Sequence, residues 1–348
     1  MIKILLKNEE IILSLISQFY LDVESEEAKF DTLLDLYNNF YLSGTCTLFN
    51  KTTIGSNLCI QDSLLVSNNS ILYGTTTIKT NLYVSNNTIL RSLNVSNDSF
   101  LYGNITCNSN LYLAGSGIFG SLYVSGGSIF VNNTTLKSNL YISNIAYLYG
   151  ALTVLSNLNI SNNSICQGSV TVNNNLTVLG NSNIDNAYIS NNLNVSGNTI
   201  LYNATINTLT VSNTTILFND TSIYSSLYVS NLANINNVII NSNLFVSGNS
   251  VANNMTVTSD LYVSGQAFFN SITIPNTLLV SGIAIINGAT TVQSTLNVLG
   301  ETAIQGNTTI MNNLFSYYIL RLYIMKINKI LHGGENGFGM KQIQTFIS

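Results

Sequence analysis

A hydrolase or transferase needs a nucleophile beside a base, a pair of carboxylates, or a set of metal ligands. This sequence has one histidine, His332, next to Gly333 and Gly334 and outside the repeated body, where it reads as a surface-loop residue. Between Phe40 and Asn313 the acids are Asp62, Asp98, Asp185, Asp220, Asp260 and Glu301. They are scattered singly and no pair recurs, so the two carboxylates of glycosidase chemistry are missing. Cys46, Cys59, Cys107 and Cys166 have neither metal-ligand nor disulfide spacing. They read as small hydrophobes of a chain assembled in a reducing compartment, with Cys46, Cys107 and Cys166 facing inward and Cys59 outward. No glycine-rich phosphate loop or Cys/His cluster occurs. The expectation is a non-enzymatic protein with no cofactor and no metal.

The residues that remain as a candidate site are not reactive but regularly spaced. From Leu244 to Asn313 the chain reads LFVSGNSVANNMTVTSD, LYVSGQAFFNSITIPNT, LLVSGIAIINGATTVQST, LNVLGETAIQGNTTIMNN, with lines starting at Leu244, Leu261, Leu278 and Leu296. Each line divides into three blocks of five or six residues, as in LNVLGE, TAIQGN, TTIMNN. An aliphatic residue stands third in each block, and Gly or Asn usually fifth. Residues one and three of a strand share a face and residue two takes the other. Leu261 and Val263 therefore point in and Tyr262 points out. The outward residues of the Leu blocks form a column: Tyr123, Tyr141, Asn159, Thr177, Asn194, Thr210, Tyr228, Phe245, Tyr262, Leu279, Asn297. Tyr228, Phe245, Tyr262 and Leu279 make an unbroken apolar stripe within it. Three roles fit that stripe: a stacked ladder that stiffens the coil, a contact with a second copy of the chain, or a sugar-binding platform.

Such blocks need a chain wound with three short strands and three corners per turn, stacked so that each aliphatic residue lies above its counterpart. The corners call for a tight bend, which glycine and asparagine accept at positive φ. The fold class is all-β, a three-sided single-chain β-helix of roughly 15 turns, on the order of 70–75 Å long at ~4.8 Å per turn. The Leu block recurs from Leu64 to Leu296. Its spacing is 16 to 18 residues after Leu122, and earlier it alternates between 18 and 11 (Leu64, Leu82, Leu93, Leu111, Leu122). An interval of 11 is two blocks instead of three, so the Leu-rich side steps around the coil while the winding continues.

Charged residues are 7% of the 348-residue chain, against about 25% in an ordinary globular domain. Hydrophobic residues at 46% supply a core, and Asn, Ser and Thr supply solubility. Between Phe40 and Asn313 the only bases are Lys51, Lys79, Arg91 and Lys137, too few and too dispersed for a nucleic-acid surface. The organisation divides at 1–39, 40–313 and 314–348. In the first segment Ile12, Leu15, Ile16 and Phe19 fall at helical spacing. A second helix opens at Ser25 with the stripe Phe30, Leu33, Leu34 and Tyr37. This short N-terminal helical cap would cover the open edge of the first turn, or attach the protein to a partner. The run Leu314–Leu331 is broken by Arg321, Lys326 and Lys329, which predicts a cap over the last turn and a tail, not a membrane span. No secretory leader is evident in Met1–Phe19.

The blocks LYVSGN, LNVSGNTIL and LNVLGETAIQGNTTI resemble the solenoid repeats of viral fibre proteins, found in phage tail fibres and in structural or surface proteins of large DNA viruses. That resemblance covers residues 40–313. It implies a fibre-, spike- or rod-like component of a virion surface that associates with itself, as a trimer in many such fibres, and that meets a host-surface glycan or protein. The self-cleaving ends of some fibres have no counterpart here. A secreted or cell-surface, carbohydrate-binding adhesin is the alternative. The blocks also look like the hexapeptide repeat of β-helix acyltransferases, whose catalytic histidine has no match in residues 40–313. Ice-binding solenoids rely on Thr-x-Thr arrays, and here Thr75–Thr77 and Thr308–Thr309 stand isolated in the sequence.

Overall fold

The structure is a computed structural model. It describes residues 2–4, 21–23, 27–30, 34–36, 40–48, 52–306, 308–316, 319–322 and 342–345. It divides into two compact units, residues 1–178 and 179–348. Each is a parallel β-solenoid, all of whose described strands pair in parallel, and about 16 turns are described in all.

In the first unit three stacks of strands form three faces. On one, Leu64, Leu82 and Ser99 lie above one another. On the next, Leu58, Thr76, Leu93, Leu111 and Ser128 do. On the third, Thr88, Ile105, Leu122, Leu140, Leu158 and Leu176 do. Leu82 therefore sits over Leu64, whereas Leu93 belongs to a different face. The alternating 18 and 11 spacing is the Leu-rich side moving around an uninterrupted coil. In the second unit the Leu block keeps one face, through Leu193, Leu209, Leu227, Leu244, Leu261, Leu278, Leu296 and Leu314.

The core is the set of first and third residues of each three-residue strand, nearly all fully buried, with the middle residue outside. Burial of one such Leu or Val contributes about 1.5–3 kcal/mol before chain ordering is set against it. First-position residues are small where the third is large. Gly117, Ser128 and Ala267 precede the buried Phe119, Phe130 and Phe269 by two residues, and a Cβ on Gly117 would run into the Phe119 ring.

The corners work differently from the sequence expectation. The non-glycine residues with positive φ among those described are Asn219 and Asn237 alone, at 52° and 53°. Gly248, Gly265, Gly282 and Gly300 stack along one edge, and none lies in the left-handed region. A Cβ on Gly265 would stand 2.5 Å from the carbonyl oxygen of Gly248, so close approach of successive turns selects glycine there. Asparagine serves as an acceptor. Its Oδ1 takes the backbone N–H of the residue above it, as Asn243 does from Asp260 at 3.0 Å and Asn249 from Gln266 at 2.8 Å. The first unit repeats the arrangement: Asn81 accepts from Asp98 N–H and Asp98 from Ser116 N–H, at 3.1 and 2.9 Å.

The second N-terminal helix is corrected. Leu21–Val23, Glu27–Phe30 and Leu34–Leu36 are strands, pairing with Phe40–Leu42, Thr45–Leu48 and Thr52–Ile54. The alternation Leu-Asp-Val and Leu-Asp-Leu has the period of a strand, and parallel pairing satisfies backbone groups that a helix would leave as an open sheet edge. Described strands on both sides of residue 39 thus belong to one stack. The first expected helix, through Ile12, Leu15, Ile16 and Phe19, lies outside the described residues. After Asn313, Leu314–Ser316 pairs with Leu296–Val298, and Ile319–Leu322 with Thr302–Ile304. Among the described residues no helix is long and apolar enough to cross a membrane.

Candidate functional site: an outward aromatic ladder

Tyr228, Phe245, Tyr262 and Leu279 are the middle residues of Leu227–Val229, Leu244–Val246, Leu261–Val263 and Leu278–Val280. The strands are in register, so each of the four lies directly above the one before. Parallel strands one turn apart leave their outward side chains at the strand spacing, close to the thickness of stacked rings. Tyr228 and Phe245 stack with centroids 5.1 Å apart and planes 3° apart, and Phe245 and Tyr262 do the same at 5.1 Å and 4°. Tyr228 is 43% exposed and the other three are half-buried.

This geometry settles which part of each ring meets solvent. The faces of Phe245 are covered by Tyr228 and Tyr262, leaving the ring edges outside. A platform for a sugar needs an open ring face, and the middle of the ladder has none. The nearby charge is Asp260, whose Oδ1 accepts the Thr277 N–H at 2.9 Å. Partial desolvation first, and Asp260 second, raise the Tyr262 phenol above its ordinary value.

In the first unit the corresponding column is Tyr123, Tyr141, Asn159 and Thr177, also in register. Tyr123 and Tyr141 are tilted by 40° with centroids 6.5 Å apart. Hydrogen bonding with Ser143, and then Ser125, pulls the Tyr123 phenol below its ordinary value. A separate aromatic pair, Tyr83 and Phe100, stacks at 5.1 Å on another face.

Two further columns of the second unit escaped the sequence reading. Val251, Phe268 and Ile285 stack in register on the face that follows the Leu block. Thr256, Thr273, Thr291 and Thr309 stack on the third face. Thr309 is therefore not isolated: it continues a hydroxyl column whose members are 17 or 18 residues apart. Applying the inside–outside rule to the second and third blocks of each line would have found both columns.

The cysteines take the positions expected of them. Cys46, Cys107 and Cys166 are buried, and Cys59 is half-exposed on the outside. Burial pushes the Cys107 thiol up to about 12, and raises Cys46 further still. Among the described residues no group of three or more His, Cys, Asp or Glu is placed to hold a metal. Asp62 is held by hydroxyls from the turns before and after it, Thr45 and Thr80, each at 3.0 Å. This is a polar ladder with no acid–base partner among the contacts. His332 lies outside the described residues.

No protein-family model matches the chain, and no solved structure matches it. Short stretches are similar to fungal proteins described as ATP-dependent RNA helicase FAL1. The Kluyveromyces lactis protein is 51% identical over 51 residues, which is 15% of this chain and 13% of that protein. The Lodderomyces elongisporus protein is 46% identical over 56 residues, 16% and 14% of the two lengths. The Candida glabrata protein is 48% identical over 48 residues, 14% and 12%. The matched stretch thus spans about an eighth of each relative, and a similarity of that extent defines no family for the chain.

Proposed function

We propose that this is a non-enzymatic structural or attachment protein, a fibre- or spike-like component of a virion, that associates with copies of itself through the Tyr228–Leu279 stripe. One observation carries the reading. An aromatic ladder with its ring faces mutually covered leaves a continuous apolar strip of ring edges along successive turns of the second unit. Exposed apolar strips are the usual mark of a protein contact. The virion assignment rests on the likeness of the blocks to fibre repeats. The same stacking counts against the carbohydrate-binding adhesin, because no ring face inside the ladder is open to a sugar.

Mass in solution tests it. Replacing Tyr228, Phe245 and Tyr262 together by Ser is expected to lower the assembled mass while the β circular-dichroism signal persists. An unchanged mass rejects the contact, and specific retention of a glycan on the unmodified chain but not on the triple variant would move the assignment to the adhesin.

A further inference from the structure

The second unit carries not one apolar column but two, on consecutive faces of the coil. At three successive turns the pairs are Phe245 with Val251, Tyr262 with Phe268, and Leu279 with Ile285. The two columns are separated by the corners Ser247-Gly248-Asn249, Ser264-Gly265-Gln266 and Ser281-Gly282-Ile283. At these turns the remaining face bears the hydroxyls of Thr256, Thr273 and Thr291, one turn after the exposed Ile239. Over these three turns the coil is thus amphipathic by face. Two sides are apolar and one is polar.

We infer that a second copy of this chain covers each of these faces head to tail: the aromatic column of one copy packs on the Val251–Phe268–Ile285 column of the next, and the threonine face stays in water. Three arguments select this occupant. Two faces that diverge from a shared edge cannot both be covered by one flat surface, so each needs its own partner surface. The column Val251–Phe268–Ile285 is more aliphatic than the ladder Tyr228–Phe245–Tyr262, so the two surfaces differ and pair as unlike faces. Two parallel copies also share one strand spacing, so ring edges fall at the same heights as the side chains they meet. Area points the same way. A strip three or four turns high, at ~4.8 Å per turn, gives each face only a few hundred Å². A single such contact falls short of the ~1,000 Å² total expected of a stable dimer, so two faces per copy must be engaged together. Head-to-tail contacts of this kind build a ring where the rotation between copies closes and an open assembly where it does not, never a two-fold dimer.

The inference rests on the self-association proposed above and adds its geometry. The test uses the full chain in a Cys59→Ser background, which removes the half-exposed thiol, with Tyr262→Cys and Phe268→Cys, which stand at the same turn, made singly and together. The expected result is disulfide-linked multimers from the double variant and from a mixture of the two single variants, with each single variant alone staying uncross-linked. Circular dichroism and melting controls exclude misfolded variants. Cross-linking of Tyr262→Cys alone means like face on like face and overturns the inference while leaving self-association standing. An assembled protein in which the pair never cross-links overturns it as well. A monomeric mass for the unmodified chain overturns both readings.

Discussion

Glycine and asparagine occupy the corners for reasons that a single turn does not contain. If positive φ were the requirement at position 265, asparagine would be a tolerated replacement. Because the obstacle is the Gly248 carbonyl beneath, Gly265→Ala and Gly265→Asn should both destabilise, by about 1–3 kcal/mol as for other overpacked sites. Denaturant midpoints of the two variants check this, and a near-neutral Gly265→Asn would restore the conformational explanation. Asn243→Ala removes the acceptor of the Asp260 N–H and should cost about 1 kcal/mol. The cysteines yield a labelling prediction. On the native chain a thiol reagent should modify Cys59 and spare Cys46, Cys107 and Cys166 until the protein is unfolded. The pH dependence has a definite sign. Cys107 titrates at about 12 when folded against an ordinary value of 9.0, so the folded state holds its proton more tightly. Its contribution is fully present below pH 9 and is lost as pH rises from 9 towards 12. Replacing Cys107 by Ala should flatten the fall in stability across that window.

At the scale of the strand, stability comes from like residues stacked on like. Leu261 has Leu244 before it and Leu278 after it, all fully buried. Leu261→Ala should therefore cost about 2–5 kcal/mol, read from the urea midpoint. Strands so short bury little by themselves, and their ladders are made with the turns before and after. The loss should be local: hydrogen exchange is expected to quicken in strands one or two turns from Leu261. Strands of the first unit, such as Leu122–Val124 of Gly117–Val124, should keep their protection. The inside–outside alternation was legible from block letters alone, because burial of first and third residues follows from strand pleating and needs no knowledge of neighbours. The N-terminal strands were missed for an instructive reason. Leu34 and Phe30 sit at a spacing compatible with a helix, while Leu34-Asp35-Leu36 also reads as a strand. What separates the two is the pairing with Thr52–Ile54, a partner that local pattern does not reveal.

For the whole molecule, the regular blocks led to a β-solenoid, and the functional proposal is one about surfaces, not about reacting groups. Its consequence can be measured on the intact chain: apolar columns on two faces should make assembly insensitive to salt, since ionic screening acts on charges that these columns lack. Mass in solution at low and high salt should agree, and dissociation by moderate salt would contradict the proposed contact. The sequence by itself determined the winding, the residues of the core and the Tyr228–Leu279 column, because a strand's two-residue period and a repeat of fixed length are properties of a line of letters. Only the tertiary structure decided that the rings stack flat on one another, that Val251, Phe268 and Ile285 form a second apolar side, that Thr256 to Thr309 align, and that glycine answers to a carbonyl one turn away. These depend on the register and separation of residues 17 or 18 positions apart, which are fixed when the turns close over one another and not before.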